Sequence, residues 1–170
     1  MTFNFKHFGT IEIDDLVKKL EGLDWNQYKF RQLTHKVHAE TLTVPLLFDE
    51  KLQTIKIHKD FGRFIPELGK IKIILSEKLG KGEFQSAILI NLPAGKKIKR
   101  HIDKAENFKK YHRIHIPIIT NPKCLFEVDN EIINMKKGEI WEINNDDKYH
   151  SVENTGETDR IHLLIDWKLS

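Results

Sequence analysis

Apolar residues recur at helical spacing in the first half of the chain and at alternating spacing in the second. Between residues 11 and 23, Ile13, Leu16, Val17 and Leu20 fall three or four apart among charged residues, which predicts a one-sided helix with Asp14 and Asp15 in its first turn. Residues 66–79 repeat the pattern, with Leu68, Ile71, Ile74, Leu75 and Leu79 on one stripe and Gly80 as the C-terminal stop. The β-branched stretch 36–44 predicts one or two strands, with Pro45 marking a strand end or a sheet edge. After Gly82 the pattern predicts strands over 84–92, 111–119, 125–128, 131–135, 139–143, 149–152 and 160–167. Turn-forming clusters separate them: Pro93-Ala94-Gly95, Thr120-Asn121-Pro122, Asp129-Asn130, Lys136-Lys137-Gly138, Asn144-Asn145-Asp146-Asp147 and Asn154-Thr155-Gly156. Helices followed by many short strands point to a mainly β fold. The expected architecture is a double-stranded β-helix, jelly-roll or cupin-like, with the N-terminal helices packed on one sheet.

The last predicted strand sharpens this picture. Ile161, Leu163 and Ile165 alternate onto one face, while Arg160, His162, Leu164 and Asp166 occupy the other. An apolar face toward helices and a polar face toward the interior would account for both.

Length and composition set the remaining bounds. A chain of 170 residues with 39% hydrophobic residues can bury a core without metal or disulfide staples, so one domain spanning 1–170 is expected. The net charge of +3 is a mild basic excess, compatible with an anionic small molecule and no argument for nucleic acid. The single cysteine, Cys124, cannot close an internal disulfide, and neither a signal core nor a membrane-length apolar run is present. These features predict a cytoplasmic protein without a membrane partner.

The chemistry-bearing residues gather between His101 and Arg160. In an extended strand, side chains two apart point the same way, so His101 and Asp103 can reach one metal ion from a single strand end. His150 follows a turn at the start of a later strand. Two imidazoles and one carboxylate hold Fe(II) on one face and leave the opposite positions for a bidentate co-substrate and O2. Arg160 lies ten residues beyond His150 and offers a planar cation for a co-substrate carboxylate. Arg113 and His115 form a second same-face pair. A β-sandwich gains nothing structurally from lining its interior with so many polar groups.

From about Ile88 to Trp167 the chain resembles the aspartyl/asparaginyl β-hydroxylase family of 2-oxoglutarate- and Fe(II)-dependent dioxygenases, which includes hydroxylases of free proline. The matching elements are Pro93-Ala94-Gly95 before His101, Arg113-Ile114-His115, Thr120-Asn121-Pro122-Lys123-Cys124, Lys137-Gly138-Glu139-Ile140-Trp141, Asn144-Asn145 before His150, and Arg160 with its apolar strand. The resemblance implies that His101, Asp103 and His150 bind iron and that Arg160 pairs with the distal carboxylate of 2-oxoglutarate. Arg113 and His115 would approach its metal-bound end. Animal members lack the metal carboxylate, so Asp103 aligns this chain with bacterial members that keep all three ligands. A serine that holds the distal carboxylate in some members is replaced by apolar Leu89. The N-terminal half matches through Arg31-Gln32 and His38-Ala39-Glu40-Thr41, read as a strand at the substrate mouth.

The implied activity is hydroxylation of a C–H bond in an amino acid, peptide or protein side chain. Two alternatives share parts of the pattern. A nucleic-acid demethylase of the alkylation-repair type also uses a His-x-Asp pair, but the Arg113/His115 pair is foreign to it, which makes nucleic acid an unfavoured partner. A cupin-like domain that binds a metal or small acid without turnover is the other. The lysines and Arg100 around His101, from Lys96 to Lys110, read as a solvated loop. His7, His35, His58 and His112 read as surface histidines, and His162 as a core histidine satisfied by a neighbour.

Overall fold

The computed structural model describes residues 2–49, 54–103, 110–146 and 148–170. Lys104, Lys109 and Asp147, assigned above to a basic loop and a turn, lie outside the described residues. Ten strands form two antiparallel sheets among the described residues. The larger sheet has the order β1 (Phe5–Thr10), β8 (Glu139–Ile143), β5 (His112–Ile119), β10 (Arg160–Leu169), β3 (Gly82–Leu92) and β2 (Leu42–Leu47). The smaller has β4 (Lys97–His101), β9 (His150–Asn154), β6 (Cys124–Val128) and β7 (Glu131–Ile133). The architecture is the jelly roll that the pattern predicts.

Two cores follow from strand alternation. On the outer face of the large sheet, Leu89, Ile114, Ile116, Leu163 and Ile165 pack against Leu16 and Leu20 of α1 (Asp14–Leu20) and Phe64, Leu68, Ile71 and Leu75 of α3 (Phe61–Leu79). Between the sheets, Leu92, Ile98, Phe126, Val128, Ile143 and Val152 form a second core. The odd positions of β10 therefore face the helices, and its even positions face the interior beside the second core.

Several boundaries differ from the sequence expectation. Residues 36–44 are not one strand: Lys36–His38 is a short 3-10 turn after α2 (Phe30–Thr34), and β2 starts only at Leu42. Pro45 sits inside β2, which is tolerated because β2 is the edge of the large sheet and needs no ladder donor there. Helix α3 begins at Phe61 rather than Pro66, since fully buried Phe64 draws the preceding turn into the core. Helix α1 is shorter than predicted, because the Ile11 amide bonds the Gly138 carbonyl instead of entering the helix. Residues 97–101, read as loop, form β4, whose sequence Lys-Ile-Lys-Arg-His carries one apolar side chain facing inward. Strand β1 was not predicted; it pairs with β8 through a bulge at Gly9 that interrupts the alternation.

Candidate metal and anion site

Strands β4 and β9 pair so that His101 stands directly opposite His150. Their ring centroids are 4.2 Å apart. Each ring is oriented by a backbone carbonyl: His101 Nδ1 lies 2.7 Å from the Lys99 carbonyl and His150 Nδ1 3.3 Å from the Lys148 carbonyl. A carbonyl only accepts, so both Nδ1 atoms carry the proton and both Nε2 lone pairs are left to point elsewhere. They point at one carboxylate oxygen, Asp103 Oδ1, which is 3.5 Å from His101 Nε2 and 3.8 Å from His150 Nε2. With both rings protonated on Nδ1, neither contact is a hydrogen bond. Three electron-pair donors face one another within 4.8 Å, and His101 Nε2 is buried without a partner. Such a convergence of electron pairs fits around a cation, and its donor types suit a divalent transition metal. Burial lowers His150 to about 4, so it stays neutral and able to ligate at neutral pH.

The other oxygen of Asp103 is already engaged. Arg113 Nη1 donates to Oδ2, and Asn145 Nδ2 approaches it at 3.4 Å. Arg113 is itself held by Asp166, Nε to Oδ1 at 2.9 Å and Nη2 to Oδ2 at 3.2 Å, and Ser86 Oγ donates to the same Oδ2 at 2.9 Å. Register builds this chain: Ser86 on β3, Asp166 on β10 and Arg113 on β5 are direct cross-strand neighbours. Burial alone would raise the Asp103 carboxyl, but the Arg113 guanidinium beside it holds it well below the usual carboxylate range. Asp103 is thus ionised, with one oxygen fixed and one free.

Arg160 has a different environment. It is 1% exposed, Nη2 donates to His162 Nδ1 at 2.7 Å, and its guanidinium lies over Phe126. No carboxylate pairs with it among the described residues, and its Nε is buried without a partner. Desolvation lowers Arg160 to about 10, which still leaves it charged at neutral pH. His115 lies between the two arginines in charge terms: burial first, then Arg160 and Arg113, push it well below the ordinary histidine value, so it is neutral. A buried, unpaired guanidinium is costly unless an anion joins it.

All six residues singled out from the sequence line one cavity: His101, Asp103, Arg113, His115, His150 and Arg160. Its apolar walls include Ile90, Ile98, Ile143, Val152 and Leu164. Arg31 and His38 reach the same cavity, though from α2 and the 3-10 turn rather than from a strand. Leu89 is not near the site, because its side chain belongs to the outer core; Ile90 is the inward residue there. The positioning roles of Ser86, Asp166 and Asn145 escaped the sequence reading. Their inward placement follows from strand parity for Ser86 and Asp166, but the pairing that gives them partners does not.

A family model described as aspartyl/asparaginyl β-hydroxylase matches residues 5–169. The chain belongs to the aspartyl/asparaginyl β-hydroxylase family. Solved structures share its fold at low identity. An oxidoreductase of the 2OG-Fe(II) oxygenase family from Burkholderia pseudomallei is 13% identical with a TM-score of 0.63, covering 75% of this chain and 67% of that one. A Pseudomonas putida prolyl-4-hydroxylase is 12% identical with a TM-score of 0.58, covering 99% and 94%. A Trichoplax adhaerens prolyl hydroxylase, solved with a peptide fragment of the hypoxia inducible factor oxygen degradation domain, is 10% identical with a TM-score of 0.63, covering 98% and 84%. At these identities the likeness speaks for the jelly roll. The aspartyl/asparaginyl β-hydroxylase assignment rests on the family match, which spans both the N-terminal helices and every strand.

Proposed function

We propose that this protein is an Fe(II)- and 2-oxoglutarate-dependent dioxygenase that hydroxylates a C–H bond of an amino acid, peptide or protein side chain. Family membership supports the hydroxylase class, and the donor set supports the metal. The observation that carries the reading is Arg160, a buried cation without a carboxylate partner among the described residues, in the same cavity as three converging metal-type donors. A co-substrate with a carboxylate at each end satisfies both halves of that cavity.

In this reading His101, Asp103 and His150 hold Fe(II), and Arg160 pairs with the far carboxylate of 2-oxoglutarate. When bound, Fe(II), 2-oxoglutarate and O2 supply the oxidising chemistry, one oxygen atom entering the substrate C–H bond and the other entering succinate as CO2 is lost. The chain's own residues bind and orient. Arg113 holds Oδ2 of Asp103 so that a single oxygen is presented to the metal. His115 is a neutral hydrogen-bonding group near the co-substrate, and Ile90, Ile143, Val152 and Leu164 keep bulk water from the reacting centre. The peptide bound to the Trichoplax adhaerens protein keeps a peptide among the candidate substrates.

The test is anaerobic titration of 2-oxoglutarate into the Fe(II)-loaded protein, followed by the visible absorption of the chelate. Wild type is expected to bind. Charged hydrogen bonds contribute roughly 1.5–3 kcal/mol, so Arg160→Ala should weaken 2-oxoglutarate by about 10–150-fold while iron affinity holds. Equal affinity of the two proteins for 2-oxoglutarate would overturn the reading in favour of a cupin-like metal-binding module. Succinate formation in air, without added substrate, is the second measurement.

A further inference from the structure

The proposed reaction leaves one buried ring of β10, His162, without a task. It stands two residues after Arg160 on the inward face of the strand, and the two side chains are 2% and 1% exposed. Arg160 Nη2 lies 2.7 Å from His162 Nδ1. Arginine can only donate, so Nδ1 accepts and the ring proton sits on Nε2. Burial first, and then the Arg160 charge, hold His162 well below the ordinary histidine value, so it accepts as a neutral ring. Its cross-strand neighbours are apolar, Ile90 on β3 and Pro117 on β5, and the His115 ring beside it is a ring contact with centroids 5.8 Å apart. A leucine would fill such a position without the cost of burying an imidazole. What the histidine adds is an acceptor for Arg160.

Arg113 shows what the other kind of partner does. It donates to Asp166 and to Asp103, carboxylates that hold it in place and offset its charge together. His162 holds Arg160 by a bond of similar length and offsets no charge. The bond also restricts direction. A guanidinium meets a carboxylate in bidentate fashion along one of two edges, Nη1 with Nη2 or Nε with Nη2, and Nη2 supplies a different hydrogen to each. His162 occupies one of those hydrogens, so a single bidentate edge stays open. Phe126, from the opposite sheet, backs the guanidinium carbon at 5.8 Å from its ring centroid. Orientation is thus set before any anion arrives.

We propose that His162 is a positioning residue for the co-substrate: it fixes the Arg160 guanidinium through Nη2, leaves one bidentate edge open, and brings no charge to compete with the incoming carboxylate. This rests on the Fe(II)/2-oxoglutarate reading and adds a residue to it. His162 acts through Arg160 and touches neither the metal donors nor the reacting atoms.

The experiment titrates 2-oxoglutarate into the full chain loaded anaerobically with Fe(II), for wild type and three substitutions at this position, with iron affinity measured separately. His162→Leu removes the acceptor, so Arg160 must be ordered when the anion binds, and affinity should fall by about 2–12-fold, the cost of immobilising one such side chain. His162→Asn puts an amide oxygen where Nδ1 stood and should restore most of that loss. His162→Asp has the same shape with a negative charge, pairs with Arg160 as Asp166 pairs with Arg113, and should weaken 2-oxoglutarate by about 10–150-fold. Iron affinity should stay at the wild-type value in all three. A double-mutant cycle separates positioning from general packing: in an Arg160→Ala background, His162→Leu should have no further effect on 2-oxoglutarate. Wild-type affinity in His162→Leu, an Asn protein as weak as the Leu protein, equal affinities of the Asn and Asp proteins, additive effects in the cycle, or loss of iron would each overturn the proposal. Failure of wild type to bind 2-oxoglutarate would instead remove the reading beneath it.

Discussion

Each residue of the site has a job set by its partners. His101 and His150 owe their free Nε2 atoms to backbone carbonyls that hold the Nδ1 protons, so no side-chain partner has to be in place first. Replacing either by alanine leaves two of three donors, and Fe(II) binding measured anaerobically by equilibrium dialysis should be lost in a folded protein. Retention of wild-type affinity in His150→Ala would exclude it as a ligand. Asp103→Ala should cost less iron affinity, because two imidazoles remain, but it also strips a partner from Arg113. Asp166 is a different matter. It neutralises Arg113 through two hydrogen bonds in the interior, and Asp166→Ala removes both from a buried guanidinium. Breaking one side of a buried pair costs about 3–5 kcal/mol. A urea midpoint for Asp166→Ala within error of wild type would refute that account.

At the scale of elements, alternation was informative wherever a strand had a buried face at both ends. Strands β3, β5, β8 and β10 follow the predicted ranges to within two residues, with Ala87 and Leu89, Ile114 and Ile116, Ile140, and Ile161, Leu163 and Ile165 in the core against the helices. Strands β1 and β4 were invisible for opposite reasons: β1 breaks its alternation at the Gly9 bulge, and β4 lies at a sheet edge with one inward apolar residue. The 3-10 turn at Lys36–His38 defeated β-propensity because tertiary contacts draw His38 onto His101. The turn before β8 tests how tightly elements are joined. Gly138 has φ +80, its carbonyl accepts from the Ile11 amide, and a Cβ there would lie 2.5 Å from the Ile11 carbonyl oxygen. Gly138→Ala should therefore destabilise by about 1–3 kcal/mol, from left-handed backbone strain plus the clash. Thermal unfolding would show it, and an unchanged midpoint would mean that the β1 side of the sheet yields freely.

For the whole molecule, the interior polar wall couples stability to pH. Burial pushes His150 to about 4, and burial with the nearby arginine charge holds His115 and His162 well below the ordinary histidine value. As pH falls through about 6.5 the unfolded chain takes up protons on these side chains and the folded protein does not, so stability falls with pH across that window. At pH 5 the proton that folded His150 does not take up costs about 2 kcal/mol. Urea unfolding of metal-free protein at pH 7 and pH 5 should show a loss of at least about 2 kcal/mol, and equal stability would contradict the buried neutral histidines. Metal should deepen the dependence, since protons compete for the same lone pairs.

Strand parity was enough to set the inward residues of the last strand. Alternation placed Arg160, His162, Leu164 and Asp166 on one side of the last strand, and a His-x-Asp pair with a distant histidine named the donors, because side-chain direction along a strand has a period of two whatever the rest of the fold does. What alternation cannot contain is pairing across strands. Arg113 and Arg160 look alike in sequence, each an arginine two residues before a histidine. Register alone sets them apart: β10 brings Asp166 opposite Arg113 and neutralises it, while Arg160 faces Leu92 on β3 and keeps its charge. The same holds at the mouth, where Arg31 and His38 lie far from His101 in sequence and meet it only when the N-terminal segment closes over the sandwich. Periodicity is a local property of the chain. The partner of a buried charge is set by long-range packing, so only the tertiary structure could decide which arginine was left for an anion.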